Sequence, residues 1–135
     1  METGPIAYRV NVPLNPEAVA AVLRRSGIRR PVDDVDRIRR MVEQANLIVT
    51  AWDGERLVGI ARALTDFSYC CYLSDLAVDA AYQRQGIGQE LVRRVREQIG
   101  EESMLLLLSA LEAMDYYPKL GFEKVANAWI IHRQR

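Results

Sequence analysis

The segment Leu76-Ala77-Val78, the hexapeptide Gln83-Arg84-Gln85-Gly86-Ile87-Gly88 and the run that follows it decide the fold of this chain. The first segment is apolar and is typical of the end of a strand. Beyond the hexapeptide, apolar residues recur every three or four positions, which predicts a helix with one face packed on a sheet. These residues are Ile87, Leu91, Val92, Val95 and Ile99. A strand, a glycine loop and a helix in this order predict an α/β domain.

The glycine loop predicts a phosphate site. Gly86 and Gly88 carry no Cβ, so the main chain can turn sharply and several N–H groups can point at one spot. The first helical turn leaves those donors unpaired, and the helix dipole adds partial positive charge. A dinucleotide fingerprint needs a third glycine and a P-loop needs Gly-Lys-Ser/Thr, and the sequence has neither here. We therefore expect a diphosphate-bearing cofactor, with a tight turn that binds no ligand as the alternative.

The predicted helix is followed by the apolar run Met104 to Leu108. A third motif, Tyr117-Pro118-Lys119-Leu120-Gly121-Phe122, comes after that run. Together with Leu76-Ala77-Val78 and the glycine loop, it resembles the GNAT N-acetyltransferase superfamily, and the likeness covers roughly residues 70–123. The resemblance implies transfer of an acetyl group from acetyl-coenzyme A to an amine by direct attack on the thioester. Its cofactor-binding residues would be Leu76, Ala77, Val78, Gln83, Arg84, Gln85, Gly86, Ile87, Gly88 and Gln89.

The resemblance also implies catalytic roles. The strand that ends in Leu76-Ala77-Val78 would bulge and splay from the Met104–Leu108 strand, which leaves main-chain groups for the pantetheine arm. The N–H of Leu76 would stabilise the developing oxyanion, and Tyr117 would protonate the departing thiolate. The alternative for Tyr117 is a packed aromatic residue.

An ammonium acceptor must lose a proton before it attacks, at a cost of roughly 4–5 kcal/mol at pH 7. Asp75, next to Leu76, is the candidate general base, with Leu73 and Ala77 as its expected partners in strand alternation. The alternative for Asp75 is a buried carboxylate that fixes the neighbouring backbone.

The acceptor pocket implied by the resemblance includes Arg29, Arg30, Tyr69 and Tyr72. Two arginines would favour an acceptor that carries a carboxylate or a phosphate. A small-molecule amine is expected ahead of a peptide. A catalytically silent coenzyme A-binding sensor or interaction module is the alternative function. A nucleotide-binding α/β domain is a weaker one, because the third glycine is missing.

The composition of the chain limits its domain number and the kinds of partner and site that it can have. A chain of 135 residues predicts one domain, residues 1–135. Its 18 basic and 18 acidic side chains balance, which argues against a nucleic-acid partner, and no apolar run is long enough to span a membrane. The adjacent cysteines Cys70 and Cys71 and the single histidine, His132, predict neither a disulfide framework nor a metal site. A reduced, cytoplasmic setting is therefore the expectation.

The periodicity along the chain predicts a mixed, mostly antiparallel sheet with a splayed parallel strand pair and helices on both faces. Met104 to Leu108 is expected to be a central strand covered on both faces. A short helix from Ala110 to Tyr117 should follow. Segments Phe122 to Ala126 and Trp129 to His132 are expected to form a last hairpin, and its outer strand could pair two copies into a homodimer. A covered edge of a monomer would explain the same residues.

Overall fold

The computed structural model describes residues 4–135 as a five-stranded sheet with helices on both faces. The strands are β1 (Ile6–Val10), β2 (Leu47–Asp53), β3 (Arg56–Thr65), β4 (Cys70–Val78) and β5 (Met104–Leu106). The helices are α1 (Pro16–Ser26), α2 (Val35–Gln44) and α3 (Ile87–Ile99). Strand order follows the chain, with antiparallel pairs from β1 to β4 and a parallel β4–β5 pair. The predicted mixed α/β architecture is confirmed.

Local sequence explains where the first helix begins and ends. The side chain of Asn15 caps α1 by accepting a hydrogen bond from the N–H of Glu17 at 2.8 Å, and Pro16 occupies the first helical position. Gly27 ends the helix in the left-handed conformation, with φ of 84°. The loop that connects α1 to α2, residues 27–34, therefore starts at a defined point beside the sheet.

Two hydrophobic clusters sandwich the sheet. One lies under α1 and α2, where Val22, Leu23 and Ile38 are fully buried with Ile60 of β3. The other lies under α3, where buried Leu91 packs with strand residues of the opposite face. A fully buried aliphatic side chain contributes about 1.5–3 kcal/mol relative to an exposed one. Both clusters fix β4 between two rigid layers.

Strand β4 bulges in its middle. Arg62 of β3 pairs with Asp75, but the next residue, Ala63, pairs with Leu73, so Ser74 is an extra residue in β4. The expected alternation of Asp75 with Leu73 is therefore wrong. Leu73 packs in the cluster under α3, whereas Asp75 lies on the face of α1 and α2.

Strand β5 splays away from β4, as the resemblance implied. The two strands pair only from Cys70 with Met104 to Tyr72 with Leu106. The expectation of a central strand covered on both faces is wrong, because β5 is a three-residue edge strand whose Met104 is 57% exposed. Within the described residues, β4 has no β5 partner beyond Tyr72.

The C-terminal segment also differs from the prediction. Two short 3-10 turns, Leu111–Ala113 and Tyr117–Leu120, replace the single expected helix. Leu111 is 85% exposed, so the segment lacks the buried stripe that stabilises a helix, and Pro118 disfavours helical conformation in Tyr117. The last hairpin is absent from the described chain, since the short β5 edge offers few partners. The homodimer stays a prediction, but residues 129–132 form no strand to pair two copies.

Asp66 organises the turn that leads into β4. Its Oδ1 accepts hydrogen bonds from the main-chain N–H groups of Ser68, Tyr69 and Cys70, at 2.8–3.0 Å. The main-chain bonds from Cys70, Ser68 and Tyr69 lower the pKa of Asp66 from 3.8 to about 2. The turn therefore needs the ionised carboxylate.

This pKa predicts how acid affects the turn. The stability that Asp66 supplies is fully present above about pH 4, the unfolded value, and is lost as the pH falls toward about 2. Thermal melts of wild type and Asp66→Ala should differ by a constant amount between pH 7 and 5, and the difference should shrink below pH 4. A difference that persists undiminished into acid would contradict this role.

Candidate active site

Leu76 and Val78 direct their main-chain N–H and C=O groups away from β3. Val78 pairs with Gly59, and the N–H of Asp79 donates to the C=O of Val58 at 2.8 Å. These contacts define a non-hydrogen-bonded pair at Val78, and Leu76, two positions earlier, is in the same kind of pair. Since β5 no longer pairs with β4 at this level in the described chain, the polar groups face the gap between the two strands. Ala77 alternates with them and turns its main-chain groups toward β3.

The glycine loop leads into α3 with two residues in the left-handed conformation. Arg84 has φ of 65° and Gly86 has φ of 82°. Gly86 occupies the N-cap position, and no side chain caps the helix. The N–H groups of the first turn, at Ile87, Gly88 and Gln89, have no partner within the helix. The loop therefore presents main-chain donors and the positive end of the helix dipole at one place.

Gln83 fixes the loop to its surroundings. Its side-chain Nε2 donates to the C=O of Val78 at 3.0 Å and lies 3.4 Å from the C=O of Ser26. The bond to Val78 ties the loop to the end of β4, and the contact with Ser26 ties it to the end of α1. Gln83, predicted to contact the cofactor, thus also positions the loop.

A second set of contacts anchors the chain before the loop. The carboxylate of Asp79 accepts from the N–H of Ala81 at 2.9 Å and from Nη2 of Arg56 at 3.1 Å. The hydroxyl of Tyr82 donates to Asp53 at 2.5 Å. Because Asp53 and Arg56 flank the β2–β3 turn, that hairpin holds the entrance of the glycine loop.

Gly88 lies where the glycine loop, β4 and the C-terminal motif meet. A Cβ on Gly88 would collide with the hydroxyl of Tyr116 and would approach Cγ2 of Val78 to 3.9 Å. The absence of a side chain at Gly88 thus lets the phenol of Tyr116 lie against the first turn of α3. Nothing local in the sequence places the hydroxyl of Tyr116 there.

Tyr117 packs between two aromatic rings. Its ring lies 5.4 Å from Tyr116 and 5.7 Å from Phe122, both in edge-to-face arrangements. Burial raises the pKa of Tyr117 above its ordinary value of 10, Tyr116 adds to the rise, and the positive charge of Arg30 lowers it. The phenol is therefore protonated at neutral pH, which is the state that a general acid needs.

Asp75 is held between two arginines. Its Oδ1 accepts from Nε of Arg30 at 2.5 Å, and its Oδ2 accepts from Nε of Arg62 at 2.5 Å. Arg30 also donates to the C=O of Ser74 at 2.7 Å, and Arg62 donates to Oγ of Ser74 at 3.0 Å. We call these four residues the bulge clamp. The Asp75 side chain is 1% exposed and that of Arg62 is 9% exposed, so this is a buried ion pair.

The bulge clamp bears on two sequence predictions. Both carboxylate oxygens of Asp75 accept hydrogen bonds from guanidinium groups, which favours the backbone-fixing alternative over the general base. The guanidinium of Arg30 donates three hydrogen bonds, to the carboxylate of Asp75 and to the C=O groups of Ser74 and Arg29. This favours a structural role for Arg30 over acceptor binding. Both functional assignments stay predictions. Arg62 was missed by sequence reasoning, although an arginine inside the apolar strand 56–65 signals a buried carboxylate partner.

The other predicted acceptor residues lie at the surface near the bulge clamp. Arg29 is exposed and adjoins Arg30 in the loop 27–34. Tyr69 is 76% exposed before the start of β4, and Tyr72 is 37% exposed within it. Tyr69 and Tyr72 thus lie before and near the start of β4, whereas the bulge at Ser74 lies in the middle of the strand. Acceptor binding by them stays a prediction.

A cavity of about 1120 Å³ lies beside β5. Its lining includes Leu105, Leu107, Tyr117 and Phe122, together with the end of α3 and the C-terminal segment. Of the predicted site residues, only Tyr117 reaches it. None of the expected cofactor-binding residues lines this cavity, so the gap between β4 and β5 is the better candidate site. The described residues contain neither a cluster of metal-binding side chains nor a helix that could cross a membrane.

The sequence and the fold were compared with known proteins. The family described as "Acetyltransferase (GNAT) domain" matches residues 19–130. The chain is 33% identical over 78 residues to GCN5-related N-acetyltransferase 2, chloroplastic, of Arabidopsis thaliana, a match that covers 53% of the chain and 30% of the relative. It is 31% identical over 71 residues to histone acetyltransferase TAP1 of Glycine max, covering 51% and 31%. The matches span about a third of these relatives' lengths.

Solved structures show the same fold. An acetyltransferase of the GNAT family from Streptococcus pneumoniae TIGR4 superposes with a TM-score of 0.77 at 22% identity, covering 96% of this chain and 100% of the other. The aminoglycoside acetyltransferase meta-AAC0020 from a soil metagenomic sample, in complex with sisomicin, has a TM-score of 0.63 at 19% identity and covers 95% and 97%. With a family match across residues 19–130, these findings establish that the chain belongs to the GNAT acetyltransferase family.

Proposed function

We propose that this protein transfers an acetyl group from acetyl-coenzyme A to an amine. One observation carries the proposal: Val78 at the end of β4, the start of α3, which no side chain caps, and the hydroxyl of Tyr116 meet at Gly88, with Tyr117 packed against Tyr116. A diphosphate needs donors at a helix start, an amide-bearing arm needs an open strand edge, and a departing thiolate needs a protonated acid. The site has a candidate for each of these needs.

The roles of the residues follow from their positions. The N–H groups of the first α3 turn bind the diphosphate, and the hydroxyl of Tyr116 is close enough to add a donor. The C=O of Leu76 and the N–H of Val78 pair with the amides of the pantetheine arm, and the N–H of Leu76 stabilises the oxyanion. Acetyl-coenzyme A supplies the activated acyl group. Tyr117 gives its proton to the thiolate that leaves.

The acceptor is proposed to be an amine of a small molecule rather than a peptide. Two exposed tyrosines, Tyr69 and Tyr72, offer stacking and hydroxyl contacts near the start of β4, whereas the charge of Arg30 is engaged by Asp75. The relatives point to different acceptors, since one is a histone acetyltransferase and one structural neighbour is an aminoglycoside acetyltransferase. The acceptor's class therefore has to be measured.

Two measurements test this function. Calorimetry should show binding of acetyl-coenzyme A and coenzyme A, and no comparable binding of ATP or NAD. An acceptor screen that follows free thiol release should then find turnover with amines, with polyamines, aminoglycosides and lysine peptides as separate arms. Coenzyme A binding without turnover in any arm would favour the silent binding module. A well-folded sample that binds no coenzyme A would refute both readings.

A further inference from the structure

The bulge clamp joins two parts of the proposed site that are far apart in the sequence. Arg30 lies in the loop 27–34, and it reaches the bulge of β4 with two hydrogen bonds, one to the C=O of Ser74 and one to Asp75. Arg62, on β3, donates hydrogen bonds to the carboxylate of Asp75 and to the hydroxyl of Ser74. Both residues of the bulge are therefore held from two directions.

The next residue along the strand is Leu76, whose N–H faces the gap between β4 and β5. A bulge changes the direction of every group that follows it on the strand. The angle of the Leu76 N–H is therefore set by the conformation of Ser74 and Asp75. That conformation depends on the guanidinium of Arg30, which donates to the carboxylate of Asp75 and to the C=O of Ser74 at the same time.

We propose that Arg30 is a positioning residue for acyl transfer, which acts through Ser74 and Asp75 to aim the main-chain N–H of Leu76 at the thioester oxygen. Arg62 and Asp75 complete the bulge clamp and act with it. Asp75 is then an anchor of the backbone and not the base that deprotonates the acceptor. This inference rests on the proposed function, because it names the residue that orients the Leu76 N–H in that same site.

The loop 27–34 gives Arg30 a fixed point from which to act. The N–H of Val32 donates to the C=O of Arg30 at 2.8 Å, and the hydroxyl of Ser26 accepts from the N–H of Ile28 at 3.1 Å. The start of the loop also approaches the glycine loop through Gln83. The arginine therefore reaches β4 from a structured turn, which suits a positioning role better than a mobile surface contact would.

Arg30 can be tested with less risk to the fold than its partners. Its side chain is 26% exposed, and its removal leaves the buried Asp75 paired with Arg62, whereas removal of Asp75 would leave the buried Arg62 without a carboxylate partner. The test compares Arg30→Gln with Arg30→Lys, which keeps the charge but lacks the fork. Arg24→Gln is the matched control, because Arg24 makes an exposed ion pair with Asp33 of the same loop.

Steady-state kinetics should separate positioning from stability. Arg30→Gln and Arg30→Lys are each expected to lower kcat about tenfold or more, with coenzyme A affinity and melting temperature close to wild type. Arg24→Gln should keep kcat within about twofold. Wild-type kcat in Arg30→Lys would overturn the proposal, because charge alone would then suffice. A parallel fall of kcat, affinity and melting temperature would also overturn it, since a general loss of structure would explain the result.

The pH profile distinguishes an anchor from a base. If Asp75 only anchors the bulge, Asp75→Asn should lower kcat but leave the acid limb of kcat/KM unchanged, because that limb reports the acceptor amine. Disappearance of the limb in Asp75→Asn would restore Asp75 as the general base and refute its anchoring role.

Hydrogen exchange keeps this inference separate from the proposed function. In Arg30→Gln, the amides of Asp75 and Ala77, which turn toward β3 on either side of Leu76, should exchange at least about tenfold faster than in wild type, while those of α3 should not change. This readout needs no turnover, so it applies even if every acceptor fails. Unchanged exchange at Asp75 and Ala77 would refute the bulge clamp, whereas faster exchange in a protein that acetylates nothing would refute the proposed function alone.

Discussion

Aspartate in place of Gly88 is expected to weaken binding of coenzyme A by about a hundredfold or more. The new carboxylate would lie in the first turn of α3, where its charge would repel the diphosphate and compete for the main-chain donors. Loss of two charge-assisted hydrogen bonds, at about 1.5–3 kcal/mol each, is sufficient for that change. An acidic side chain at a helix start is favourable for the helix, so the melting temperature should not fall. Calorimetry with coenzyme A and a thermal melt measure both quantities.

Gly88→Ala is the matched control for this change. Its Cβ displaces the hydroxyl of Tyr116, as the aspartate does, but adds no charge. Coenzyme A affinity in Gly88→Ala should fall by no more than about tenfold, the loss of the one hydrogen bond from the displaced hydroxyl of Tyr116. The defect of Gly88→Asp should also shrink as the salt concentration rises, because salt screens an exposed repulsion. Equal affinities in the two variants would mean that no phosphate lies at the first turn of α3.

Tyr117→Phe should lower kcat by about 10²–10⁴, the usual contribution of a general acid, while coenzyme A affinity changes by less than about twofold. The ring contacts with Tyr116 and Phe122 survive the loss of one hydroxyl, so the fold should be unaffected. Since burial raises the pKa of the phenol, the acid form persists at alkaline pH. The kcat profile of the wild type should therefore show no descending limb from this group below about pH 10.

Tyr116→Phe shows which of the two adjacent phenols is the acid. The hydroxyl of Tyr116 lies against Gly88 at the start of α3, so its loss should weaken cofactor binding more than it slows the chemical step. A larger fall in kcat for Tyr116→Phe than for Tyr117→Phe would transfer the acid role to Tyr116. No fall in either variant would mean that solvent protonates the thiolate.

Features with local signals could be predicted from the sequence. Asn15-Pro16 and Gly27 mark the ends of α1 because capping involves residues close in the chain. The glycine loop and the face of α3 follow from residues 83–99 for the same reason. The splayed strand pair was an implication of the resemblance to the GNAT superfamily, and the pairing of β4 with β5 confirms it.

Features that depend on distant residues could not be predicted. Arg30 and Asp75 are 45 positions apart, and the extra residue Ser74 reverses the face on which Asp75 lies, so strand alternation misled the prediction. Strand formation in the C-terminal segment needs a long partner edge, and the pattern of Trp129 to His132 carries no information about the three-residue length of β5. Tertiary context decides such segments.

The uncovered C-terminal segment gives the protein a natural optical probe. Trp129 is 96% exposed, whereas the indole of Trp52 donates to Thr50 at 2.8 Å and stacks under the guanidinium of Arg9. One fluorophore therefore emits from water and the other from a fixed polar environment. A ligand or partner that covers residues 122–135 would shift the tryptophan emission to the blue, and Trp129→Phe would abolish that shift.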